Sequence, residues 1–343
     1  NFMYLIYFFS ALFLSLFFTV GVYFIMRQFQ IVDKPRTEER KIHKKTIPLG
    51  GGLAIFASFF ILVFLLRNSF SGDINKFDLL GLFLGGLIII IGGILDDKYR
   101  LKAKKQIWFP VAAALIVVLF KIGPDVITNP FGGLFQLNIL QIGNYMILAN
   151  LLVFFWLISM MFTTKLLDGL DGLVTGVVSI GAIMIFFLSL QTQWYQPDVA
   201  LLSILFAGAC VGFLILNWHP AKIFLGEGGS LFTGFMLGCL AVVSGGKIAT
   251  TLLVMGIPML DIVRVVFLRI KKGKPIYVGD SEHLHFRLVQ SGFSQKQAVL
   301  LFYSIAFLFG ITTLFLQSSE KLIALIFLFV LMLLLGVWFT RKK

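Results

Sequence analysis

Charge is scarce in this chain. Asp, Glu, Lys and Arg make up 13% of its 343 residues, against 59% hydrophobic residues and 39 Phe, where a soluble domain carries about a quarter charged residues. No polar stretch is long enough to bury a core of its own, which excludes a separate soluble domain and leaves one membrane-embedded domain over residues 1–343. Cysteine is nearly absent. The two present, Cys210 and Cys239, lie within apolar runs, so neither a disulfide framework nor a cysteine metal motif is available. No motif suggests nucleic acid, despite a net charge of +13.

What fills the chain instead is apolar runs of bilayer-spanning length, at 3–26, 50–66, 78–95, 107–122, 145–163, 172–190, 199–216, 230–244, 248–268, 298–316 and 322–340. They predict an all-α, polytopic protein of about eleven spans. The first run is about twice the length of a signal h-region and no small-residue cleavage site follows it, so it reads as a retained first span. Lys and Arg gather in alternate loops: Arg27 to Lys45, Lys98 to Lys105, Arg269 to Lys296, and the tail Arg341-Lys342-Lys343. By the positive-inside rule these loops are cytoplasmic, which puts the N-terminus outside and the C-terminus inside. A basic inner face attracts anionic headgroups and anionic substrates.

The few polar clusters lie on those same loops. Foremost is Lys165-Leu166-Leu167-Asp168-Gly169-Leu170-Asp171-Gly172-Leu173, whose two acids are three apart and face the same way in a helical frame; an acid at a membrane segment is costly and marks a functional site by default. Asp96-Asp97 closes the third run, and adjacent carboxylates raise the pKa of one, suiting it to take a proton from a phosphate or to help hold Mg²⁺. The Asp-Asp-x-x-Asp of prenyl synthases is excluded by Arg100 at its fifth position. Glu227 stands between glycines at a helix start, a metal or phosphate contact on a close-approach backbone, while His219 beside Pro220 reads as a loop histidine. Arg40-Lys41-Ile42-His43-Lys44-Lys45, followed by Gly50-Gly51-Gly52, offers cations and free N–H groups to a phosphate. His283-Leu284-His285-Phe286-Arg287 lacks zinc-motif spacing and suits an anionic substrate.

Taken in order, Val32-Asp33-x-Pro35, Arg40-Lys41-x-His43, Pro48-x-Gly50-Gly51, Asp96-Asp97, Asp168-Gly169-Leu170-Asp171-Gly172, Asn217-x-x-Pro220-Ala221, Phe224-x-Gly226, Gly229-Ser230 and His283-Leu284-His285-x-Arg287 resemble the polyprenyl-phosphate N-acetylhexosamine-1-phosphate transferases over residues 30–295. The WecA and TagO branch is nearest in pattern, since the late motif is His-x-His-x-Arg rather than the three histidines of MraY. The resemblance implies an eleven-span fold in the bacterial cytoplasmic membrane with its site on the cytoplasmic face. It further implies Mg²⁺-dependent transfer, with Mn²⁺ as a substitute, of a sugar 1-phosphate (N-acetylglucosamine 1-phosphate) from a UDP-N-acetylhexosamine to undecaprenyl phosphate, releasing UMP at the start of cell-wall or surface-glycan assembly. On this pattern Asp96 or Asp97 acts on the lipid phosphate, and Glu227 holds the metal with Asp168 or Asp171. His283, His285, Arg287, Lys165 and Asn217 contact substrate, and Lys45 attracts the lipid phosphate. Departures from the pattern are Glu227 where Asp is usual, Lys165 where Asn is usual, Phe286 where a second histidine is usual, and the helix after Asp96-Asp97, where a Gln near Pro110 is usual.

Other classes compete less well. An MraY-like transfer of a muramoyl-pentapeptide phosphate is the near alternative. A secondary transporter binds at the bilayer midplane, whereas these clusters sit at span ends, and the Asp-Gly-x-x-Ala-Arg opening of CDP-alcohol phosphatidyltransferases is absent after Asp168-Gly169. A homodimer is compatible with the sequence.

Overall fold

The computed structural model of the chain describes residues 2–35, 45–72, 74–124, 126–129, 131–142, 145–192, 195–244, 247–271, 273 and 282–341. Helices dominate, because long apolar stretches in a membrane must satisfy every backbone N–H and C=O within the segment. In chain order they are α1 (Phe2–Gln28), α2 (Gly51–Leu65), α3 (Lys76–Tyr99), α4 (Ala103–Gln106), α5 (Trp108–Leu119), α6 (Ile147–Leu167), α7 (Leu173–Ser189), α8 (Pro197–Asn217), α9 (Gly226–Val243), α10 (Ile248–Val254), α11 (Gly256–Lys271), α12 (Leu284–Gln290), α13 (Gln295–Thr312) and α14 (Ser318–Arg341).

Among the described residues six of these, α1, α3, α6, α8, α9 and α13, are long and apolar enough to cross a membrane, and the pair α10–α11, bent by 75° at Met255, makes a seventh if it is one span. The other apolar runs do form helices, but α2 and α7 have 15 and 17 residues. Helix α5 has 12 residues, a rise of about 18 Å against a hydrocarbon core of about 30 Å. Between α5 and α6 lie two short antiparallel strand pairs, with Val126 paired to Gln136 and Gln141 to Met146.

Helix α9 is the axis of the bundle. It packs against α2, α3, α6, α7, α8 and α10, and Phe232 and Phe235 are fully buried with Phe59, Phe206 and Phe213 from α2 and α8. Peripheral α1 presents Phe2, Phe9, Phe13 and Phe17 outward, as a helix apolar on all sides does when lipid replaces water. Two glycine contacts hold the start of α9. A Cβ on Gly93 of α3 would fall on the backbone of Gly228, and one on Gly52 of α2 on that of Gly229, so three backbones meet there with no side chain between them. At the opposite end Asp198 accepts hydrogen bonds from Ser71 N (2.6 Å), Ser71 Oγ (2.8 Å), Gly72 N (2.9 Å) and Ile74 N (3.1 Å) and pins the α2–α3 loop to α8.

Candidate active site

After α1, α3, α6, α8 and α11 the chain returns to one end of the bundle, where the connecting segments line a cavity of about 1090 Å³. The floor is the start of α9. Phe224 N donates to Pro48 O (2.9 Å), Gly51 N to Phe224 O (3.0 Å) and Gly52 N to Leu225 O (2.9 Å), so the segment before α2 is bonded along the segment before α9. Gly226 has φ +77°, and a Cβ there would meet Asp97 Oδ2 at 2.5 Å; only glycine lets the turn pass this close. The Glu227 N–H donates to both Asp97 oxygens, at 3.1 and 3.3 Å, which places a carboxylate against the positive end of α9.

Its neighbour Asp96 does a different job. Asp96 Oδ1 accepts from Leu101 N (2.7 Å) and from Gln106 Nε2 (3.0 Å), and Gln106 Nε2 also reaches Leu101 O (2.9 Å). It does not line the cavity, whereas Asp97 does. Gln106 Oε1 in turn accepts from Lys165 Nζ at 3.2 Å, and Lys165 forms an ion pair with Glu227.

The tandem Asp-Gly turn joins α6 to α7. Asp168 caps the C-terminal end of α6 with its side chain exposed to the cavity. Burial, then the Glu227 charge, then Asp171 push its pKa up to about 7. Asp171 is held by the loop after α8: its Oδ2 takes His219 Nδ1 at 2.6 Å and Ala221 N at 3.1 Å. Asn217, buried, accepts from Gly172 N and donates to Ile223 O, both at 3.0 Å, so it binds the start of α7 to the loop before α9.

A fourth group comes from α11. Asp261, 4% exposed, accepts from His283 Nδ1 (2.9 Å) and Leu284 N (3.0 Å) on Oδ2, and from Arg264 Nη2 (2.7 Å) on Oδ1. Arg264 Nη2 also reaches Glu282 O at 2.7 Å. With its Nδ1–H on a carboxylate, His283 keeps Nε2 for the cavity it lines. His285 is 1% exposed and lies beneath Gly169 rather than on the cavity wall; burial first, then the His283 charge, push its pKa down to about 3. Arg287, half-buried in α12, does not line the cavity, and Phe286 does.

Of the residues picked out from sequence, the cavity therefore collects Lys45, Asp97, Lys165, Asp168, Asp171, Asn217, Glu227 and His283, and leaves Asp96, His285 and Arg287 behind its wall. Arg36, Arg40, Lys41, His43 and Lys44 lie outside the described residues. Three participants escaped the sequence, Gln106, Asp261 and Arg264, while His219, read there as a loop histidine, does lie in a loop but bonds Asp171 and borders the cavity. Asp261 carried a usable signal, since it is an acid inside an apolar run. The oxygen donors Asp97, Asp168 and Glu227 suit a hard divalent cation in kind. Among the described residues no three His, Cys, Asp or Glu side chains stand in ligating geometry, and the Lys165 ammonium pairs with Glu227.

Comparison with known proteins places this geometry. The model of glycosyl transferase family 4 matches residues 79–245. A probable undecaprenyl-phosphate N-acetylglucosaminyl 1-phosphate transferase of Bacillus subtilis (strain 168) is 32% identical, over 89% of this chain and 83% of its own length. The chain belongs to glycosyl transferase family 4. Other relatives of this family member are a decaprenyl-phosphate N-acetylglucosaminephosphotransferase of Mycobacterium leprae (strain TN), 30% identical over 83% of this chain and 76% of the relative, and a phospho-N-acetylmuramoyl-pentapeptide-transferase of Halalkalibacterium halodurans, 30% identical over 85% and 90%. As a glycosyl transferase family 4 protein with multiple apolar helices, the chain is a membrane sugar-phosphate transferase.

Proposed function

We propose that the protein transfers N-acetylglucosamine 1-phosphate from UDP-N-acetylglucosamine to undecaprenyl phosphate, releasing UMP, in the bacterial cytoplasmic membrane with the cavity facing the cytoplasm. One observation carries the reading: the carboxylates and cations Asp97, Asp168, Glu227, Lys45 and Lys165 line the same cavity as the apolar Val20, Tyr23 and Phe24 of α1. A phosphate on a long apolar chain and a polar nucleotide need both surfaces. The names of the Bacillus and Mycobacterium relatives support the acceptor and the sugar.

In the reaction an oxygen of the lipid phosphate attacks the phosphorus bound to the sugar, and the bond from that phosphorus to the bridging oxygen of UMP breaks. Phosphoryl transfer asks a protein for positioning and charge neutralisation more than for covalent chemistry. Asp97, held by the Glu227 N–H, orients the lipid phosphate and takes its proton. Lys45 at the rim draws the lipid headgroup in, and Lys165 and His283 face the donor phosphates. Asp171 and Asn217 fix the loops on either side of the donor. Mg²⁺, held by Glu227 and Asp168, would supply neutralisation of diphosphate charge.

The test is UMP release from UDP-N-acetylglucosamine by membranes containing the protein. Release should depend on added undecaprenyl phosphate and on Mg²⁺. Preference for UDP-N-acetylmuramoyl-pentapeptide would transfer the assignment to that donor, and lipid-independent release would overturn it.

A further inference from the structure

We propose that Lys165 is a resident cation of this site, competing with the divalent ion for Glu227, so that ion and nucleotide enter together by exchange. The inference rests on the transferase reading above and concerns how its metal is admitted.

The geometry sets up the competition. Lys165 reaches the cavity from the last turn of α6 and ion-pairs with Glu227 on α9, both side chains 22% exposed. Its second contact is Gln106 Oε1 at 3.2 Å, and Gln106 passes the restraint on to Asp96. Around the pair stand Asp97 and Asp168, close enough to Glu227 for each to feel its charge. Three carboxylates in one partly dehydrated cavity repel one another, and the arrangement needs a positive charge among them. An ammonium on a flexible four-carbon stem supplies it. A divalent ion demanding Glu227 oxygen must first displace that ammonium. The cost of displacement falls when a diphosphate is present, since the ammonium then passes from carboxylate to phosphate with its charge still paired. Ion binding without nucleotide is therefore weak, and nucleotide and ion bind cooperatively.

An opposite charge at contact distance shifts a carboxylate's affinity for a proton by about one to three pK units; removing a competing ammonium should tighten a metal by at least about tenfold on the same scale. The experiment measures Mn²⁺ bound to purified protein in nanodiscs by loss of the free-ion EPR signal, with and without UDP-N-acetylglucosamine. In the wild type Mn²⁺ should bind weakly alone and at least about tenfold tighter with the nucleotide. Lys165→Asn and Lys165→Met should bind Mn²⁺ about tenfold tighter than wild type without nucleotide and lose most of the nucleotide's enhancement, while Lys165→Arg keeps the wild-type pattern. Glu227→Gln should abolish the gain when combined with Lys165→Asn. Two neutral variants with unchanged nucleotide-free affinity would overturn the exchange, even if UMP release proceeds normally. Failure of the transferase reading shows separately, as absence of lipid-dependent UMP release.

Discussion

Asp96 and Asp97 are adjacent in sequence and look interchangeable there, yet they occupy different environments. Asp96 closes the α3–α4 corner through Leu101 N and Gln106, and Asp97 faces the cavity with the Glu227 N–H. General-base catalysis contributes roughly 10²–10⁴-fold, so Asp97→Asn should lower kcat by at least about 10²-fold with little change in the KM for UDP-sugar. Asp96→Asn keeps an acceptor for both donors and should retain most of kcat; steady-state kinetics on the two variants compares them directly, and equal losses would contradict the division. His285 gives a pH prediction. Its folded pKa, about 3, lies below the ordinary 6.5, so below pH 6.5 the unfolded chain takes up a proton that the folded one refuses. Stability should be constant above that pH and fall at up to about 1.4 kcal/mol per pH unit as the pH drops from 6.5 toward 3. Thermal unfolding in detergent, wild type against His285→Gln, should show that slope flattened in the variant.

At the scale of the element, most of the helices could be read from hydropathy, because an apolar run in lipid has one way to satisfy its backbone. Their breaks could not. The bend between α10 and α11 falls at Met255, next to Gly256 and Pro258, within one continuous apolar stretch, and the short α5 follows a polar helical turn, Ala103–Gln106, that hydropathy leaves as loop. Partner choice was equally hidden. Asp261 meets His283 22 residues away, and Asp171 meets His219 at 48; a local pattern carries no information about such a pairing. The glycines of α3 and α9 sharpen the point, since nothing in their sequence says that Gly93 faces Gly228. Gly93→Ala must push α3 from α9, and overpacking of this kind costs about 1–3 kcal/mol. The variant should unfold at lower temperature and lose kcat, because Asp97 rides on the displaced helix. Gly72→Ala, where a Cβ meets nothing within 4 Å but φ is +110°, should lose stability modestly and keep kcat.

For the whole molecule, the return of the chain to one end after α1, α3, α6, α8 and α11 brings together the loops in which Lys and Arg accumulate. The proposed cytoplasmic orientation of the cavity rests on the positive-inside rule and predicts a labelling pattern. Cysteine placed at Lys104 should be protected from an impermeant thiol reagent in intact cells, and cysteine at Ser318 should be labelled. Cys210 and Cys239 are fully buried and add little background; labelling at position 104 from outside would invert the orientation. His43, Gln193 and Lys274, further markers of the same topology, lie outside the described residues.

The glycine seam along α9 separates two kinds of change for anyone redesigning this protein. On the proposed function, donor preference is to be sought at Phe286 of α12 and His219 of the loop after α8, whose side chains border the cavity, by exchanging one shape for another. Positions 52, 93 and 229 offer no such freedom, because there the useful property is the lack of any atom beyond the backbone. Substitution scores that rank residues by chemical likeness would pass alanine or serine at those three positions, and a library built on such scores would lose its folded members there first.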